Sequence, residues 1–189
     1  MATLKADPIL EAFLDLIAES EGTSSSPITR ADGYDIIVEG IDGRHSFTDF
    51  SGHPFGNGRP PIIVRSGRPA RYEPCDGTST AAPKLIEDEV YPLESTASGR
   101  YQFIWPTWKA LAAVCHLGTF SPEHQDIGCM QLLHTKGIDE LLVVGELPKA
   151  IETASSVWAS FPGNLFGQGG HSVEWLTSRY HQLLIAGKQ

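Results

Sequence analysis

The chain has 189 residues, 41% of them hydrophobic, and a formal net charge of −9. That length supplies one good core and is too short for two full-size domains, so residues 1–189 are expected to form a single domain. The acidic balance argues against a nucleic-acid binder, which needs a basic face to displace phosphate counterions, and no apolar run is long enough for stable membrane insertion.

The first residues, Met1 to Pro8, lack the basic and apolar blocks of a signal peptide, so synthesis in the cytoplasm is expected. Asp7-Pro8 is a helix start, with Asp as N-cap and proline in the first turn, where its missing N–H costs nothing. Leu10, Leu14 and Ile17 then recur at helical spacing beside Phe13, which predicts a helix from about Pro8 to Glu21. Tyr34 to Val38 reads as a strand, Asp42-Gly43 as a turn, and His45 to Phe50 as the returning strand of a small hairpin.

From Gly52 to about Glu94 the composition shifts to proline and glycine with little periodicity apart from Ile62-Ile63-Val64. This is expected to be a long irregular excursion, a tolerated insertion in preference to a cleft wall. Periodicity returns with helices from Trp105 toward Gly118, from Pro122 to Gly137, from Ile138 to Val144 and from Pro148 to Pro162. A glycine-rich loop, Gly163 to Gly170, leads to a last helix carrying Val173, Leu176, Tyr180 and Leu183. The expected fold class is α+β, mostly helical with one small β-hairpin.

Chemistry concentrates at Glu21. One helical turn beyond Ile17, it lies on the apolar face, and Gly22 suits the left-handed position that ends a helix. A carboxyl there meets unpaired carbonyls, the negative end of the helix dipole and partial desolvation, all of which favour its protonated form. That is the state a general acid requires. The plain alternative is a carboxylate that caps its helix or pairs with an arginine. Asp35 and Asp49 on the hairpin are candidate second carboxylates, although each also suits a turn. Tyr101, Gln102, Trp158 and Gln168 offer aromatic faces and amides for a polyhydroxylated ligand.

Seven histidines show no close ligand pair, so neither metal nor cofactor is expected. Cys75, Cys115 and Cys129 are an odd number at wide spacing, which reads as reduced thiols. Cys115-His116 are adjacent in sequence and point apart on a helix, and no nucleophile elbow occurs.

Several of these segments, in this order, resemble the lambda-type phage endolysin: Ser20-Glu21-Gly22-Thr23 after Ala12 to Leu16, Gly33 to Val38, Phe47-Thr48-Asp49, His53-Pro54, Gly99-Arg100-Tyr101-Gln102, Phe120-Ser121-Pro122, and Ile151-Glu152 running into Val157 to Gly163. The resemblance spans nearly the whole chain except about residues 56–92, where it implies an insertion. It implies a lysozyme-like fold with the hairpin lobe beside the active-site cleft. The implied activity is a lytic transglycosylase that cleaves the MurNAc-β-1,4-GlcNAc bond of peptidoglycan and leaves 1,6-anhydro-MurNAc ends. The implied acid is Glu21, with Gln102, Phe166 and Gln168 lining the cleft, and Asp35 and Tyr101 are expected as further substrate-binding residues. Phe166 stands where the family's Gly-Tyr-Gly-Gln loop has tyrosine, so stacking is the role that carries over. The resemblance further implies a monomer acting on glycan strands, held in the host cytoplasm until a holin lesion admits it to the periplasm. A hydrolytic muramidase with a second carboxylate and a catalytically silent glycan binder are the alternatives.

Overall fold

The computed structural model describes residues 2, 7–68, 71–72, 85–87, 89–163 and 170–187. Its axis is α1, Pro8–Ser20, capped by the Asp7 carboxylate, which accepts from Ile9 N–H at 2.9 Å. Residues Ala12 to Ala18 of α1 are all buried, a wider apolar surface than one helical stripe, because the helix is enclosed from several sides. Phe13 meets Phe161 and Tyr180, each with ring centroids 6.1 Å away. On α1 pack α3 (Pro122–Thr135), α4 (Ile138–Val143) and α6 (Val173–Ala186), while α2 (Trp105–Cys115) packs on α3, and α5 (Leu147–Ala154) on α4 and α6. The architecture is the α+β class expected.

Strands β1 (Ile36–Gly40) and β2 (Gly43–Ser46) form the hairpin, pairing Ile36 with Ser46 and Ile37 with His45. The returning strand stops at Ser46, short of the expected Phe50. Phe47 and Phe50 turn inward instead, packing on each other at 5.0 Å, with Phe47 5.9 Å from Phe120.

The stretch after Gly52 departs most from expectation. Residues Ile62–Arg65 form β3 and pair antiparallel with Leu93–Ser95, while Arg71–Tyr72 (β4) pairs with Leu85–Glu87 (β5); with Leu93–Ser95 as β6, the segment is a β-arm. Arg68 and Val90 bridge the two ladders. The arm is keyed to the hairpin: Ile41 N–H donates to Ile63 O at 2.9 Å, and a Cβ on Gly40 would stand 2.4 Å from an Ile62 methyl. Local periodicity missed this ladder because each short strand finds its partner far along the chain.

The expected helix from Pro148 to Pro162 also breaks early, at Ala154. Ser155 and Ser156 hydroxyls donate to the carbonyls of Glu152 and Thr153, an alternative to helical bonding that serine readily takes. The chain then turns through Val157 to Phe161, and that turn brings Ser160 to α1.

Candidate active site

The end of α1 builds the site. Gly22 has φ +66°, its N–H donates to Glu19 O, and Thr23 N–H donates to Ala18 O, the paired bonds of a left-handed helix terminus. Thr23 is buried, its hydroxyl 2.6 Å from Arg100 O, so the terminus is tied to the turn at Gly99–Phe103. Glu21 is thereby fixed at the C-cap, partly buried, with little freedom in its backbone.

Two neighbours act on its carboxyl. Ser160 Oγ donates to Glu21 Oε1 at 2.7 Å and lies 2.9 Å from Ser20 Oγ. Arg44, on β2, donates to Gly22 O at 2.8 Å and pairs with Glu39 at 3.2 Å. Burial pushes the Glu21 carboxyl above its ordinary range, opposed by the Ser160 hydroxyl and backbone N–H and by the Arg44 charge. The carboxyl whose pKa burial raises, at the end of a buried helix, is the one the pattern of apolar positions singles out.

The other expected site residues separate. Gln102 sits partly exposed in the left-handed region, φ +51°, with its amide donating to Gly99 O at 2.9 Å. Tyr101 is 0% exposed and its hydroxyl lies 2.5 Å from Asp126, so it has no face for a ligand. It is corrected to a core residue. Asp35, 3% exposed, accepts from the Thr29 hydroxyl and from Arg30 N–H at 2.8 Å. Both carboxylate oxygens organise the loop before β1, so it too is a structural group in place of a substrate contact. Trp158 is buried, its indole N–H donating to Tyr101 O at 3.0 Å. Phe166 and Gln168 lie outside the described residues.

Asp49 is exposed and receives Ser51 N–H at 2.9 Å, a bond that holds its carboxyl below the usual range. It borders a cavity of about 540 Å³ between the 47–59 loop and α2, lined also by His53, Trp105 and Lys109 but not by Glu21. Neither aspartate is among the groups that act on Glu21.

Ser160, Ser20 and Arg44 are the neighbours that sequence reasoning missed. Ser160 falls in the segment Val157 to Gly163 that carries the resemblance, yet it is separated from Glu21 by 139 residues, and a lone serine beside a proline turn signals nothing by itself.

With this geometry, the sequence model of the Endolysin family matches residues 11–186. The chain belongs to the endolysin family. The endolysin of Escherichia phage P2 is 36% identical over 180 residues, covering 94% of each chain. That of Escherichia phage lambda is 33% identical over 173 residues, covering 91% of this chain and 89% of the relative. Among solved structures, bacteriophage lambda lysozyme complexed with a chitohexasaccharide superposes with a TM-score of 0.70 at 30% identity, covering 96% of this chain and 97% of that one. A second structure of lysozyme from bacteriophage lambda gives 0.61 at 27% identity, covering 98% and 96%. The endolysin fold is therefore lysozyme-like, and this family member is a peptidoglycan-degrading phage enzyme.

Proposed function

We propose that this endolysin is a lytic transglycosylase in which Glu21 serves as both acid and base. The observation that carries the reading is the surroundings of Glu21: a serine hydroxyl and an arginine act on its carboxyl, while Asp35 and Asp49 are engaged elsewhere. A two-carboxylate hydrolase needs a second acid across the scissile bond, and the reading is supported by the absence of Asp35 and Asp49 from the groups that act on Glu21.

Protonated Glu21 gives its proton to the glycosidic oxygen as that oxygen leaves C1 of MurNAc. The N-acetyl carbonyl of the same sugar stabilises the positive charge at C1. Glu21, now a carboxylate, takes the proton of the C6 hydroxyl as O6 bonds to C1. No water is consumed, one anhydro end forms, and the acid is restored. Burial supplies the protonated start, and fixing the backbone at the C-cap keeps the carboxyl oriented, an entropic contribution to rate.

The chitohexasaccharide held by lambda lysozyme supports a glycan strand as ligand here. Gln102, Phe166 and Gln168 are proposed to line its path, and the monomer is proposed as the working unit. No helix among the described residues is long and apolar enough to cross a membrane, which fits an enzyme that waits for a holin lesion before reaching the periplasmic wall. Mass spectrometry of digested peptidoglycan tests the reading. Muropeptides lighter than hydrolytic products by one water, with no new reducing ends, are expected. New reducing MurNAc ends would overturn it in favour of a muramidase.

A further inference from the structure

The contacts of Ser160 go beyond packing. Its hydroxyl stands 2.7 Å from Glu21 Oε1 and 2.9 Å from Ser20 Oγ, and Ser20 Oγ in turn donates to Ile17 O at 2.9 Å. Ser20 has one hydrogen, with Ile17 O and Ser160 Oγ both 2.9 Å away. The Ser160 hydrogen goes to the shorter and more polar acceptor, Glu21 Oε1, so the bond between the two serines is made by the Ser20 hydrogen, shared between Ser160 Oγ and Ile17 O.

An oxygen that already accepts a hydroxyl hydrogen is a poor place for a second proton. We propose that Ser160 is a positioning residue that confines the acid proton of Glu21 to Oε2, and then steadies the carboxylate left behind when that proton has gone to the sugar. The inference deepens the acid–base reading of Glu21 and rests on it. One unchanged bond serves both halves of the cycle, because Oε1 is an acceptor whether the carboxyl is neutral or charged. The Ser160 backbone N–H adds a second donor to the same carboxyl.

Ser160 is held where it can do this. His171 N–H donates to Ser160 O at 2.8 Å, and a Cβ on Gly170 would lie 2.8 Å from that oxygen, so Gly170 and His171 pin the turn. The charged groups around the site come from four elements. Arg44 of β2 is bound to Gly22 O and to Glu39 of β1, and Glu19 of α1 is clamped by Arg179 of α6, whose Nη2 lies 2.7 Å from Glu19 Oε1. Each of these ions has an opposite partner, so Ser160 is the neutral group placed to tune Glu21 without adding charge.

The test is the pH profile of kcat/KM on purified peptidoglycan for wild type, Ser160→Ala, Ser160→Thr and Glu21→Gln. With its hydroxyl donor gone, the Glu21 carboxylate is less favoured, so the alkaline limb of Ser160→Ala should move to higher pH by roughly one unit. Its kcat should fall about tenfold or more with KM little changed, since a misdirected proton harms the chemical step more than glycan binding. Ser160→Thr, which restores the hydroxyl, should bring back both the limb and the rate. An unmoved limb in a folded Ser160→Ala protein overturns the proposal, whatever the rate does, because a packing role alone does not shift it. If Ser160→Ala does not fold, Ser160→Cys keeps the shape with a weaker donor and is judged by the same limb. Glu21→Gln separates the two layers: its inactivity beside an unmoved Ser160→Ala limb sinks only the role of Ser160, whereas an active Glu21→Gln sinks the reading of Glu21 itself.

Discussion

Two buried carboxylate environments meet α1, and they are built on opposite terms. Along the middle of the helix, Asp15 pairs with the buried Arg100 at 2.8 Å, and Arg100 also reaches Asp32 and lies 5.1 Å over the Tyr34 ring. Behind it, Asp126 accepts from the hydroxyls of Tyr34 and Tyr101 at 2.7 and 2.5 Å. At the end of the same helix, Glu21 is partly buried with one serine and a more distant arginine, and desolvation prevails in raising its pKa. Carboxylates given their full complement of donors hold a fold together. One given fewer than its burial calls for has its pKa raised, the condition that the proposed acid role of Glu21 needs.

The sharpest way to break this contrast is to neutralise one group of each kind. Glu21→Gln should lose roughly a hundredfold to ten-thousandfold in activity while staying folded, the range typical of general acid–base catalysis. Lysis of permeabilised cells by purified protein measures it, and near wild-type lysis would remove Glu21 from the mechanism. Arg100→Met should do the reverse, costing about 3 kcal/mol in urea unfolding, because it leaves Asp15 buried without its cation. Activity per folded molecule should change little. A variant as stable as wild type would show the Asp15 pair to be energetically idle.

Titration sharpens the comparison further. His53 is buried, its Nε2–H directed to Phe103 O at 2.9 Å and its Nδ1 receiving Phe55 N–H, and burial pushes its pKa down to about 4. The unfolded chain binds this proton near pH 6.5 and the folded one near 4, so stability should fall as pH drops between those values, by up to about 3 kcal/mol. Replacing His53 with phenylalanine should flatten that part of the melting-temperature profile; an unchanged slope would place the loss elsewhere. Glu21 runs the other way. Its folded pKa is raised, so its contribution is present below the ordinary carboxylate range and is lost as pH rises through the folded value. The melting temperature of Glu21→Gln should therefore exceed that of wild type by more at pH 7 than at pH 4. Equal differences at both would mean that burial does not disfavour the charge.

How much of this was legible in sequence follows from how local each cause is. Asp7-Pro8, the apolar spacing to Ile17 and Gly22 are neighbours in sequence, and together they gave α1, its end and the exceptional position of Glu21. Tyr101 and Asp35 carried a functional look that belonged to the core, because a buried tyrosine or aspartate is distinguished from an exposed one by partners such as Asp126 and Thr29 that lie elsewhere in the chain. Ser160 and the β3–β6 ladder were hidden for the same reason. Phe166 and Gln168 lie outside the described residues, and their roles stay with the proposal.

The β-arm gives the smallest effect expected. Its root, β3 with β6, is tied to Gly40 and Ile41, and beyond the Arg68–Val90 bridge the described residues give only the β4–β5 pair. Replacing residues 69–89 with a short glycine-serine turn should change stability by no more than about 1 kcal/mol, since closure of a loop depends weakly on its length. A large loss in urea unfolding would show the outer arm to be part of the core, contrary to a tolerated insertion.

The central claim, that Glu21 works alone with the substrate's own C6 hydroxyl, is tested most directly by digesting peptidoglycan in heavy-oxygen water. Attack by O6 brings no solvent oxygen to C1, so the account predicts anhydro ends without label. Labelled, reducing MurNAc ends would contradict it, because they require water as the nucleophile and hence a group to activate it.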